Sequence, residues 1–217
     1  MPRLAVLHTV SALAERFKPM FRDALGDRID TFHMVDESLL QDLMRHGPKP
    51  GITRRVVSFA ERAEDAGADL IVFTCSSTSP GIDVARQTVG VPILKIDDPM
   101  AAKAVQLGKR IGVVCTANST VSPSTEIVRT HAREQKREVQ VEGLLVEGAF
   151  QALAAGKREE HDRLVREAAV ALAKRSDVIV LAQASMAHLE ETIAAEAKVP
   201  VLSSPRLCVE AVAARLA

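Results

Sequence analysis

The chain has 217 residues, 47% of them hydrophobic, and its 28 Lys plus Arg balance 28 Asp plus Glu. That length and apolar fraction suit one large core or two small ones, and a neutral balance without long like-charged runs leaves no electrostatic footprint for nucleic acid or an anionic membrane. No apolar run approaches the ~20 residues of a bilayer span, the N-terminus lacks the pattern of a secretory leader, and three cysteines without metal-ligand spacing argue against a disulfide framework or a metal site. The expectation is a cytoplasmic protein with a small-molecule partner, no nucleic acid and no membrane.

Residues 4–8 read as a strand, and Leu13, Phe17, Met20, Phe21 and Leu25 recur at helical spacing before Gly26. Residues 29–35 read as a second strand, after which Asp36 caps a helix carrying Leu39, Leu40, Leu43 and Met44 as far as Gly47. Residues 48–51 form a turn-rich link suited to a mobile flap. A helix over 53–66 turns Val56, Val57, Ala60 and Ala63 inward and stops at Gly67. The stretch 69–80, DLIVFTCSSTSP, is the centre of the first half. Its apolar run is too short for a helix and reads as a buried strand that delivers Cys75 to a loop of small hydroxyl residues. Ligands of open α/β sheets sit outside the carboxyl ends of strands, where backbone N–H groups of a following helix can meet an anion. A helix around 82–88, a strand over 91–95 and a helix over 99–107 complete the half.

The second half repeats this order. Strands are expected near 111–115, 139–145, 178–182 and 199–202, and helices near 122–135, 147–155, 159–175, 187–197 and 208–216. Ser122 before Pro123 reads as a helix start, with the proline where its missing N–H costs nothing. Stretch 177–186, DVIVLAQASM, falls on the segment beginning at 69 with an offset of 108, and VPVL at 199–202 falls on VPIL at 91–94 with the same offset. RIGVVCT at 110–116 falls on RLAVLHT at 3–9 with an offset of 107. Three matched strand-and-loop segments in order indicate an internal duplication of one α/β unit. The fold class expected is α/β: two pseudo-symmetric lobes, each with a four-stranded, mainly parallel sheet flanked by helices. Residues 1–97 with 207–217 make the first lobe and residues 98–206 the second, with the site expected in the cleft where their strand ends face each other. Such a cleft suits chemistry in which a proton leaves one face of a planar carbanion and returns to the other.

DLIVFTCSST, DVIVLAQASMA, RIGVVCTANST at 110–120 and VEGAF at 146–150 together resemble the aspartate/glutamate/hydantoin racemase superfamily, over essentially the whole chain. The resemblance implies an isomerase that works without cofactor on a small carboxylate, using a pair of cysteines, one per lobe. Cys75 matches the first family cysteine, an acid/base or nucleophile, against the plain alternative of a buried structural thiol. A thiolate there needs its pKa lowered from about 8.5, which a helix N-terminus can do. Ser76, Ser77 and Thr78 match positions that hold a substrate carboxylate, or serve as turn and capping residues, and Thr9 is a further candidate substrate contact. Gln183 occupies the place of the second family cysteine, and an amide neither takes nor gives a proton at neutral pH. The symmetrical two-thiol mechanism therefore does not carry over directly, and Gln183 is left to hydrogen-bond a carboxylate or carbonyl, or simply to pack.

Ala184, Ser185 and Met186 follow in the position of the second carboxylate cradle. Thr116, Asn118, Ser119 and Thr120 form a polar loop matching the family's second-lobe binding loop, or cap a helix. His8 and Cys115 are partners under the duplication. His8 is a candidate to orient or deprotonate Cys75, and Cys115 a substrate contact or substitute second acid/base. Glu147 is the second residue of the VEGAF segment near the family site, or is a helix N-terminal carboxylate favoured by the dipole. His188 faces solvent and Cys208 belongs to the core. The resemblance also admits a one-cysteine decarboxylase or a maleate-isomerase-like enzyme, and two lobes closing on a ligand admit a non-catalytic binding module. A homodimer is the default assembly.

Overall fold

A computed structural model describes residues 1–216 and divides them into two compact units, one of residues 1–96 with 208–216, the other of residues 97–207. In the first, β1 (Arg3–His8), β2 (Asp30–Val35), β3 (Leu70–Phe73) and β4 (Ile93–Lys95) form a sheet in the order β2-β1-β3-β4 with every pair parallel. In the second, β5 (Arg110–Cys115), β6 (Gln140–Leu145), β7 (Val178–Leu181) and β8 (Val201–Ser203) repeat it as β6-β5-β7-β8, again wholly parallel. The duplication extends to single hydrogen bonds. The Asp36 N–H donates to the His8 carbonyl and the Val146 N–H to that of Cys115; Thr74 donates to Leu7 and Ala182 to Val114. Asp69 accepts from the Arg3 backbone N–H and Asp177 from that of Arg110 at the opposite strand ends.

Strands buried on both faces carry apolar residues at successive positions. On β5 and β7, Ile111, Val113, Val178 and Val180 face one way, against α5 (Asp98–Leu107) and α6 (Asn118–Glu134). Val114, Ile179 and Leu181 face the other, against α8 (Arg158–Ala173). Gly112 lies on that second face, where an added Cβ would come within 2.7 Å of Leu172. In the first unit, Ala5, Leu7, Ile71 and Phe73 meet Val56, Phe59, Ala60 and Ala63 of α3 (Pro50–Asp65) and Ile82 of α4 (Ser79–Ala85). Phe17 and Phe21 of α1 (Ser11–Leu25) are fully buried, with Phe17 close to His8. The helix α2 (Glu37–His46) starts on Asp36, whose side chain accepts from the Leu39 N–H. The remaining helices are α7 (Ala149–Ala154), α9 (Glu190–Ala197) and α10 (Ser204–Leu216). No helix among the described residues is long and apolar enough to cross a membrane.

Several expected boundaries move. Pro50 and Gly51 are the first residues of α3, so the link after α2 shrinks to Gly47–Lys49 and no flap of the expected length exists. Proline at N1 has a φ ready for a helix and no N–H to leave unpaired, which is why the segment starts a helix instead of a turn. The helix expected from Ser122 begins four residues earlier at Asn118, placing Pro123 inside α6. Asn118, Ser119 and Thr120 are thus its first turn and not a loop. The helix expected from 187 is preceded by a 3-10 segment over Ala184–Leu189, and α10 starts at Ser204, ahead of the expected 208.

Candidate active site

Cys75 follows β3 with an extended backbone (φ −123°, ψ 110°), and Gln183 follows β7 in nearly the same conformation (φ −143°, ψ 135°). A 3-10 turn comes next in both units. The Thr78 N–H returns to the Cys75 carbonyl at 3.3 Å and the Met186 N–H to that of Gln183 at 3.0 Å. The Thr78 hydroxyl also donates to the Cys75 carbonyl at 2.8 Å, so this threonine closes the turn as well as facing the thiol. Hydroxyl residues are in demand here because they bond locally to the backbone where no ladder continues.

The Cys75 thiol lies among donors. The N–H groups of Ser77 and Thr78 and the hydroxyls of Thr9 and Thr78 draw its pKa down, but loss of water contact outweighs them and holds it above the ordinary thiol value. Close packing around the sulfur does not seal the residue, which keeps partial exposure, unlike Cys115 and Cys208. The lowering that a resting thiolate needs is therefore not met: the resting group is a thiol, with amides placed to receive a thiolate when one forms. Those amides belong to a 3-10 turn ahead of the seven-residue α4, not to the end of a long helix. The Thr9 hydroxyl approaches the sulfur outside regular hydrogen-bond geometry and finds no other partner. Ser76, Ser77 and Thr78 are all buried.

His8 is fully buried, and both ring nitrogens are occupied. Nδ1 is 2.9 Å from the Thr74 hydroxyl and Nε2 is 2.9 Å from Nδ1 of His33, whose ring stacks on it at 5.2 Å. The Thr74 hydroxyl donates to the Leu7 carbonyl, so it accepts from His8 Nδ1–H, and His8 Nε2 in turn accepts from His33. Burial, with His33 and Lys18 nearby, lowers the pKa of His8 to about 3. A neutral imidazole with both nitrogens engaged is not a base for Cys75, and the role expected of His8 is corrected to a structural one. His33 and Thr74 escaped the sequence reading. The polar positions in DTFHMV were the available signal, but pairing two histidines from different strands needs the sheet.

In the second unit the Thr116 N–H and hydroxyl both donate to Gln183 Oε1, at 2.5 and 2.9 Å. This is the repeat-equivalent of Thr9 against Cys75. Cys115 has no exposed surface and belongs to the core with Val113, Val128 and Ala182. Burial and the carboxylate of Asp97 push its pKa up to about 11, against the hydroxyls of Thr120 and Ser124. Neither substrate contact nor a second acid/base is open to it, because its strand position points between α5 and α6. Met186 is likewise fully buried, among Leu189, Ile193 and Leu181, so its side chain is not part of a carboxylate cradle. Ala184 is buried and Ser185 half-buried.

Thr120 is buried and its hydroxyl donates to the Ala117 carbonyl at 2.7 Å, a capping bond. Asn118 is exposed, Ser119 half-buried and Thr116 buried. Glu147 is exposed in the turn between β6 and α7. His188 is exposed, but its Nε2 bonds Asp162 at 2.7 Å, and the other oxygen of that carboxylate bonds the buried His161.

A protein-family model described as Asp/Glu/Hydantoin racemase matches residues 9–212 of this chain. Among solved structures, a candidate Asp/Glu racemase from Yersinia pestis superposes with a TM-score of 0.78 at 19% identity, covering 100% of this chain and 99% of its own. Glutamate racemase RacE1 from Bacillus anthracis gives 0.73 at 16% identity, covering 99% and 81%. The Gly74Cys mutant of arylmalonate decarboxylase gives 0.64 at 16% identity, covering 99% and 93%. At such identities the superpositions speak for the fold alone.

Proposed function

Because the chain belongs to the Asp/Glu/Hydantoin racemase family, we propose that it is a cofactor-independent isomerase in which Cys75 moves a proton at the carbon next to a carboxylate of a small amino acid or hydantoin-like substrate. The observation that carries this reading is the Cys75 thiol just past β3, in a residue that keeps partial exposure and with the Ser77 and Thr78 amides facing its sulfur. As an acid, Cys75 gives its S–H proton to a substrate carbanion and is left as a thiolate facing two N–H donors; in the reverse direction the thiolate takes the proton back. Backbone N–H groups do not titrate, so they favour the charged form of the sulfur without competing for the proton. Ser76, Ser77 and Thr9 are proposed to hold the substrate carboxylate. Glu147 is the exposed carboxylate proposed as a second base.

A second reading is favoured by the burial of Cys115 and by the amide at Gln183: proton delivery from a single face. In a one-thiol decarboxylase, breaking a C–C bond releases carbon dioxide and leaves its electron pair as the carbanion. The Cys75 proton quenches that carbanion, and solvent restores the thiol. Single enantiomers of aspartate, glutamate and hydantoins incubated in deuterated buffer separate the two. Solvent deuterium appearing with inversion supports the isomerase, and carbon dioxide release from a substituted malonate with one product enantiomer supports the decarboxylase. Equal rates for wild type and Cys75→Ala in every assay would refute both.

A further inference from the structure

We infer that Gln183 is a fixed hydrogen-bond donor that selects an acceptor group on the ligand, a carboxylate or carbonyl oxygen, and that Thr116 is the positioning residue that fixes it. The inference rests on the proposed reading only for the ligand being a small carboxylate. Gln183 stands at the end of β7, half-buried, with its Oε1 held by the Thr116 N–H at 2.5 Å and by the Thr116 hydroxyl at 2.9 Å. A backbone N–H only donates, so the atom facing it is the carbonyl oxygen of the amide. The other end, Nε2 with two hydrogens, is turned away from Thr116. An amide held this way offers donors and no acceptor. It suits a carboxylate, a carbonyl or a developing enolate oxygen, and it has nothing to give an ammonium group.

The duplication supplies an independent observation. Thr9 occupies the place of Thr116 in the first unit, and its hydroxyl stands against the Cys75 thiol. The same repeat position thus sets a threonine beside the residue two places past the third strand, a proposed proton carrier in one copy and a neutral donor bonded by its threonine in the other. Replacing a thiol by an amide at this position removes a proton acceptor but keeps a polar group aimed by the same neighbour. Charge selection follows from polarity, since a group with two N–H donors and a committed oxygen prefers a partner with lone pairs by the free energy of one charge-assisted bond.

The test uses the full chain labelled with ¹⁵N. The Gln183 side-chain amide resonances are identified by their loss in Gln183→Leu, and the probes are malonate and 1,3-diaminopropane, alike in length and opposite in charge. Malonate is expected to move the Gln183 pair, and diaminopropane to leave it in place. Gln183→Leu is expected to weaken malonate about tenfold, the loss of one hydrogen bond to a charged group. Thr116→Val, near-isosteric, is expected to draw the pair toward free-amide shifts and weaken malonate about fivefold, while Thr116→Ser restores both. An amide pair at free-amide shifts in the wild type, no response to malonate, or an equal response to diaminopropane overturns the inference. Cys75→Ser keeps the two ideas apart. Loss of isotope exchange with an intact malonate response upholds both, whereas exchange that persists in Cys75→Ser with that response intact removes the proposed chemistry and leaves the role of Gln183 standing.

Discussion

Acidification tests whether His8 is held neutral as its surroundings require. The unfolded imidazole titrates near 6.5, while burial, His33 and Lys18 lower the folded value to about 3. Between those values the unfolded chain binds a proton that the folded protein refuses. This contribution to stability is complete above the unfolded value and is lost as pH falls toward the folded one. At about 1.4 kcal/mol per pH unit, the loss from His8 is about 2 kcal/mol at pH 5 and about 3 kcal/mol at pH 4. His8→Cys is the natural control, since the equivalent position of the second unit holds Cys115 without exposed surface. The variant leaves the His33 and Thr74 partners of His8 unsatisfied, a deficit of about 1–3 kcal/mol at neutral pH. Urea unfolding of both proteins at pH 7, 5 and 4 reads the difference. The stability gap between them should narrow by about 2 kcal/mol from pH 7 to pH 5, because only the wild type carries the His8 proton penalty. A gap independent of pH would refute the argument and reopen a titrating, functional His8.

Three further outcomes are expected. Iodoacetamide should modify Cys75 before Cys115 and Cys208, and because its pKa is raised the rate should climb about tenfold per pH unit from pH 7 to pH 9; a plateau already reached at pH 7 would mean a resting thiolate. Gly112→Ala should destabilise by about 1–3 kcal/mol in chemical denaturation, since its Cβ would come within 2.8 Å of both Leu172 and Ile179, while Leu172→Ala combined with it should recover part of the loss instead of adding to it. Gln183→Cys returns a thiol to the place where the resemblance has one. It should raise inversion relative to simple exchange on amino-acid or hydantoin substrates, and an unchanged ratio would count against proton traffic on that side.

The sequence by itself determined the repeated α/β order, the parallel sheets and the position of Cys75 at a strand end. A buried parallel strand must be apolar at every position and a loop must not, so runs such as LIVF and VIVL announce themselves beside CSST and QASM. Capping at Asp36 was legible for the same local reason. What local pattern does not encode is which side chain meets which across a sheet. Cys115 and Gln183 both looked like site residues because both end strands. Alternation along β5 buries the first between helices, while Thr116, the residue just past β5, holds the second by its oxygen. The neutrality of His8 likewise comes first from burial and then from His33, and the two residues that engage its ring nitrogens, His33 and Thr74, are respectively 25 and 66 residues away in the chain. Helix starts at Pro50 and Asn118 were missed because proline and small hydroxyl residues are common to turns and to first helical turns, and only the packing that follows chooses between them. The state of the thiol was decided last and only in three dimensions, by how far its packing against water outweighs the two amides and two hydroxyls that face it.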